Sequence, residues 1–98
     1  MLDSHLQLDN LNDLRTFVHQ TLCHQHELQP GAFPVTERIL VRGKRPCGIF
    51  FCLHGPRSVK FTAIWETDRN TVLFYNSSGE RTAKAQLVQA PILAPVAA

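Results

Sequence analysis

The chain has 98 residues, 44% hydrophobic and 18% charged, a composition that fits one folded domain and excludes a disordered segment. Its formal charge is only +2, and its three cysteines are an odd number, which argues against a disulfide framework. No apolar run approaches the roughly 20 residues of a membrane span, and Met1 to His5 has neither part of a secretory signal, so the expected setting is the reducing cytoplasm.

The first element in the chain is a helix. Leu11, Leu14, Phe17, Val18, Thr21 and Leu22 recur at helical spacing. Asn10 fits the N-cap, and Asp13 falls in the first turn, where the helix dipole favours an acid. Pro30-Gly31 closes the element, because residues before a proline avoid the helical region, and the end is expected near His24 to Glu27. Ala32-Phe33-Pro34 is a connector.

From Val35 the period drops to two. Val35–Arg42, Cys47–His54, Val59–Thr67 and Thr71–Asn76 read as four strands separated by Gly43-Lys44-Arg45-Pro46, Gly55-Pro56-Arg57-Ser58 and Asp68-Arg69-Asn70. Connections this short join only antiparallel neighbours, which gives a meander. Ser77-Ser78-Gly79-Glu80 reads as a capping box opening a short helix to Gln89; Arg81–Val88 also reads as a fifth strand. The alanines and the lysine favour the helix. Residues 91–98, with two prolines and no period, are expected to be a loose tail beyond a single domain of residues 1–90. The expected fold is α+β: an N-terminal helix packed on a four-stranded antiparallel meander, with a short C-terminal helix or fifth strand.

Even-numbered turns would place Ile39, Val41, Gly48, Phe50, Cys52, His54, Val59, Phe61, Ala63 and Trp65 on one face, the expected core under the helix. Arg38, Leu40, Arg42, Cys47, Ile49, Phe51, Leu53, Lys60, Thr62, Ile64 and Glu66 then share the other face. The phase of 71–76 stays open, since the parity of the preceding loop exchanges Leu73 and Tyr75 for Val72 and Phe74. On the second face Leu40, Ile49, Phe51, Leu53 and Ile64 form an apolar stripe edged by Arg38 and Arg42, the anatomy of a protein interface. A C-terminal segment bearing Ala83, Leu87, Val88, Ile92 and Leu93 that folds back over the stripe is the bland alternative. The function expected from this face is non-enzymatic binding or assembly, with a protein partner or a second copy of the chain.

Charge is unevenly distributed along the sequence. Residues 1–37 hold Asp3, Asp9, Asp13, Glu27 and Glu37 against Arg15 alone, whereas 38–65 hold Arg38, Arg42, Lys44, Arg45, Arg57 and Lys60 with no acid. Solubility and protection of strand edges explain such a block simply. The sharper reading is a weak anion or nucleic-acid site using Arg45, Arg57 and Lys60 with the two stripe arginines. Sheet-based RNA readers carry a basic-glycine-aromatic run that is missing here, and Phe51 is the one aromatic firmly on the open face in this register, so nucleic acid is the weaker partner.

Metal and reaction chemistry fare less well. Cys47 and Cys52 are five apart on one strand and leave opposite faces, so they do not share an ion. Cys52 and His54 share a face, but two ligands do not close a zinc site. His19, Cys23 and His26, at helical spacing i, i+4, i+7, are the rival constellation for a metal or haem; a solvated helix side explains them more simply, and no metal or cofactor is assigned. A Cys23–His nucleophile would lack an orienting acid and an oxyanion hole, so no enzyme activity is expected.

The stretch Pro46-Cys47-Gly48-Ile49-Phe50-Phe51-Cys52-Leu53-His54-Gly55-Pro56-Arg57, followed by Thr62-Ala63-Ile64-Trp65-Glu66-Thr67, Leu73-Phe74-Tyr75 and Ser78-Gly79-Glu80-Arg81, resembles a family of short uncharacterised bacterial proteins. The likeness runs from about Leu14 to Leu87. It implies a bacterial single-domain protein and brings with it no activity, cofactor or site.

Overall fold

A computed structural model describes residues 2–6 and 10–88, so the tail assigned to 91–98 lies outside the described residues. In chain order the elements are strand β1 (Leu2–Leu6), helix α1 (Leu11–Gln25) and strands β2 (Val35–Arg42), β3 (Arg45–His54), β4 (Lys60–Glu66), β5 (Thr71–Tyr75) and β6 (Arg81–Leu87). One six-stranded sheet has the order β1-β6-β5-β4-β3-β2. The segment β2 to β6 is the antiparallel meander, and β1 adds to its far edge parallel to β6.

Helix α1 starts and stops by local chemistry. Asn10 Oδ1 accepts from the Asp13 amide at 2.8 Å, which satisfies one of the free first-turn donors. At the other end Glu27 turns left-handed at φ 56°, and the Leu28 amide reaches back to the Cys23 carbonyl at 2.8 Å. This is the helix stop usually built on glycine, here carried by a glutamate. Leu14, Val18, Leu22 and Cys23 form the buried stripe.

The stripe packs on a sheet face made of Ile49, Phe51 and Leu53 from β3, Ala63 and Trp65 from β4, Val72 and Phe74 from β5, and Ala83, Ala85 and Leu87 from β6. Trp65 and Leu53 are wholly buried, and the Phe17 ring meets Phe74 edge-on with centroids 5.9 Å apart.

Strand β3 therefore faces the opposite way from the sequence expectation. Ile49, Phe51 and Leu53 are core, and Phe50 turns outward. Two parity changes, one on each side of β3, cause this. The Gly43-Lys44 hairpin is even, pairing Arg42 with Arg45, but Cys47 is then an extra residue: Val41 faces Pro46 and Leu40 faces Gly48. Such a bulge shifts every later pair by one residue. Beyond β3 the connection Gly55–Val59 is odd, so His54 faces Lys60. Its tight path is closed by Gly55 N–H donating to the Val59 carbonyl at 2.8 Å, with Arg57 and Ser58 both left-handed. The two changes cancel for β4 relative to β2, and Trp65 and Ala63 face the core as expected.

Two further expectations need correction. Residues 81–87 form a strand, the alternative to the favoured helix, because Ala83, Ala85 and Leu87 bury at period two while Lys84 is exposed. The sheet also has six strands: β6 is the fifth strand kept open above, and β1 is the one not expected. The open phase of β5 resolves with Val72 and Phe74 inward and Leu73 and Tyr75 outward.

Candidate binding face

Residues directly opposite in an antiparallel pair share a face, so the ladder defines what the helix-free side displays. Its central row runs Arg38, Phe50, Ile64, Leu73, Lys84 across β2, β3, β4, β5 and β6. A second row runs Thr36, Cys52, Thr62, Tyr75, and a third runs Leu40, Gly48, Glu66, Thr71, Gln86. Leu40, Phe50, Ile64, Leu73 and Tyr75 are half-buried by one another and by flanking stems. Among the described residues, helix α1 packs on the other side of the sheet and nothing forms a second layer here.

The edges of this patch are basic. Arg38, Arg42, Arg45, Lys60, Arg81 and Lys84 all fall on the open side of their strands together with Glu66, and β1 places Asp3 in register with Lys84. The Arg38 guanidinium lies 5.4 Å from the Phe50 ring centroid, a cation–π contact that holds the ring against the sheet. Arg42 meets Asp68 at 3.4 Å, with both side chains mostly in solvent, so that pair contributes little and leaves Arg42 available. At this end a cleft of about 550 Å³ lies beside the bulge residue Cys47, its charged lining Arg42 and Arg69 against Glu66 and Asp68. Gly48 fits beside it because a Cβ there would collide with the Trp65 carbonyl oxygen.

Of the residues expected on the partner face, Arg38, Leu40, Arg42 and Ile64 lie on it. Ile49, Phe51 and Leu53 do not: each is at most 1% exposed beneath α1. Phe50, Leu73 and Tyr75 take their place. A bulge is invisible to a period-two reading, although Pro46, which cannot donate to a ladder, marks where irregularity is tolerated. The proposed anion set is dispersed. Arg45 starts β3, whereas Lys60 faces His54 at its far end and Arg57 sits in the adjoining turn. A ten-residue strand separates them by about 30 Å, so they make no single anion pocket.

The helical His/Cys constellation is also split. Cys23 is 1% exposed in the core, and burial pushes its thiol up from the ordinary range. His26 stacks on Phe61 with centroids 3.7 Å apart, and desolvation lowers its pKa below the ordinary 6.5. Among the described residues no three His, Cys, Asp or Glu side chains are grouped as a metal would need. No described helix is long and apolar enough to cross a membrane.

Comparison with protein-family models, curated proteins and solved structures returns no match for this chain.

Proposed function

We propose that this protein is a small binding module that docks a partner protein on the open face of its sheet. The observation that carries this reading is the in-register row Arg38, Phe50, Ile64, Leu73, Lys84, an apolar centre flanked by two cations, with Asp3 of the edge strand β1 in register beside Lys84. Interfaces concentrate energy in buried aromatic and aliphatic anchors and use a charged rim for orientation and capture. The rim here is mainly basic, with Glu66 and Asp68 at its cleft end and Asp3 in register beside Lys84. Two copies face to face would bring Arg38, Arg42 and Lys84 against like charges, so the chemistry favours an acidic partner surface with apolar anchors over a second copy. Arg38 already covers the exposed side of Phe50, which favours a side-chain anchor over a stacked nucleobase.

The reading is tested by placing a photoreactive residue at Thr62 on the open face and, as a control, at Asn12 on α1. Cross-linked partners should be acidic, specific to position 62, and lost in Phe50→Ser with the fold retained by circular dichroism. Equal capture from both positions, capture unaffected by Phe50→Ser, or a salt-steep affinity for oligonucleotides in place of protein would sink it.

A further inference from the structure

Strand β2 ends the sheet, and among the described residues nothing pairs with its outer edge. The hydrogen-bond phase fixes which groups that edge offers. The His54 amide donates to the Pro34 carbonyl at 2.9 Å, and bonds to one antiparallel neighbour recur at every second residue. The even-numbered positions of β2 therefore turn their backbone to β3, and Val35, Glu37, Ile39 and Val41 turn their amides and carbonyls outward. Free edges are usually blunted by proline, a bulge or an inward-pointing charge. β2 contains no proline, the extra residue of the bulge lies on β3, and Glu37 is neutralised by Arg15 Nε at 2.9 Å. Beside these free groups lie Ile39 and Val41, 45% and 48% exposed. Both are on the helix side, since Ile39 faces the core residue Ile49, but α1 packs chiefly over β3 and β4.

Charge selects the occupant. Antiparallel partners share a face, so β2 meets a second β2 only in registers that keep odd with odd and even with even. Pairing Arg38 with its own copy sets guanidinium against guanidinium. Pairing Leu40 with its own copy sets Arg38 against Arg42 on both sides of the axis. Pairing Ile39 with its own copy opposes Arg38 to Leu40, Thr36 to Arg42 and Glu37 to Val41, with no like charges opposite. We infer that β2 pairs antiparallel with β2 of a second copy about a two-fold axis at Ile39, joining the two sheets into one. About six backbone hydrogen bonds from Glu37, Ile39 and Val41 hold the pair, and the four exposed Ile39 and Val41 side chains meet along it. The axis is perpendicular to the sheet, so the basic rims do not meet face to face and each helix-free face stays open.

The test is sedimentation velocity of the full chain from about 5 to 500 µM, with amide hydrogen exchange at both ends of that range. A reversible dimer with a Kd on the order of 100 µM is expected, because a single edge pairing falls at the small end of interfaces. Exchange at Glu37, Ile39 and Val41 should then slow about three- to fourfold at the higher concentration by mass action. Arg38 and Leu40, already bonded to β3, should keep their rates. Ile39→Lys, which opposes two ammonium groups at the axis, should weaken the dimer about tenfold. Ile39→Pro removes only an outward amide and should do the same with circular dichroism unchanged. A monomer throughout the range, association that leaves the Glu37, Ile39 and Val41 amides unprotected, or a dimer of equal strength in both variants overturns the inference. The exchange pattern is read on the unaltered protein, so it holds even where a variant fails to fold.

Discussion

Neighbouring phenylalanines on β3 should respond very differently to truncation. Phe51 is 1% exposed and belongs to the core beneath α1. Replacing it with alanine removes the transfer free energy of a buried ring and leaves a cavity, a combined cost of about 3–5 kcal/mol. A domain of this length is stable by roughly 5–15 kcal/mol, so Phe51→Ala removes a large share of the total. Phe50 is half-buried on the open face, where Arg38 lies over it. Its truncation forfeits part of one side chain's burial and a partly exposed cation–π contact, together about 1–2 kcal/mol. Urea unfolding followed by circular dichroism and by the fluorescence of the single tryptophan measures both. With a slope of about 1.5 kcal/mol per molar urea, the midpoint should fall by about 2–3 M for Phe51→Ala and by about 1 M for Phe50→Ala. Equal losses, or a larger loss at Phe50, would refute the register that turns Ile49, Phe51 and Leu53 inward, and with it the composition of the proposed binding face.

Three other outcomes follow from the same geometry. Asn70 is left-handed at φ 49°, accepts from the Trp65 indole at 3.1 Å and donates to the Leu87 carbonyl at 3.0 Å. Asn70→Ala should therefore cost about 3 kcal/mol in thermal or urea unfolding, and Asn70→Gly about 1 kcal/mol less because it accepts the backbone angle; a loss below 1 kcal/mol for alanine would count against the staple. His26 has a lowered native pKa, so below about 6.5 the unfolded chain takes up a proton that the folded chain resists. Stability should fall as pH drops from 6.5 through the lowered native value and show no His26 dependence above 6.5, and His26→Phe, which keeps the ring stack on Phe61, should flatten that slope. Cys47 is the most accessible of the thiols, Cys52 is 7% exposed on the open face and Cys23 is 1% exposed in the core, so a thiol reagent on the folded protein should label Cys47 first, Cys52 more slowly and Cys23 only on unfolding. Early labelling of Cys23 would contradict its place in the core.

Much of the local structure was legible in the sequence because its causes are local. Asn10 caps the helix start and the helix ends within the expected stretch, although the stop is made by left-handed Glu27 rather than by Pro30, and β2 runs over the residues its alternation indicates, Val35–Arg42. The candidate site was half legible. Arg38, Leu40, Arg42 and Ile64 sit on strands whose phase survives, whereas the apolar anchor supplied by β3 changes from Phe51 to Phe50.

The difference lies in what determines a face. Alternation within Cys47–His54 separates its residues into two sets, Ile49, Phe51 and Leu53 against Phe50 and Cys52, and both are apolar enough to be core. Choosing between them depends on the parity of the connections at either end, where a single extra residue reverses every side chain. That choice is made by the bulge at Cys47 and the five-residue turn after His54, which set the pairing of β3 with β2 and with β4. Likewise Ala83, Ala85 and Leu87 carry a high helical propensity, worth only tenths of a kcal/mol per residue, that loses to burial once β5 offers an edge, and β1 pairs only with β6. The sequence by itself determined the class, the helix and the positions of the meander strands; the tertiary pairing decided which side of β3 became core and which was left on the helix-free face.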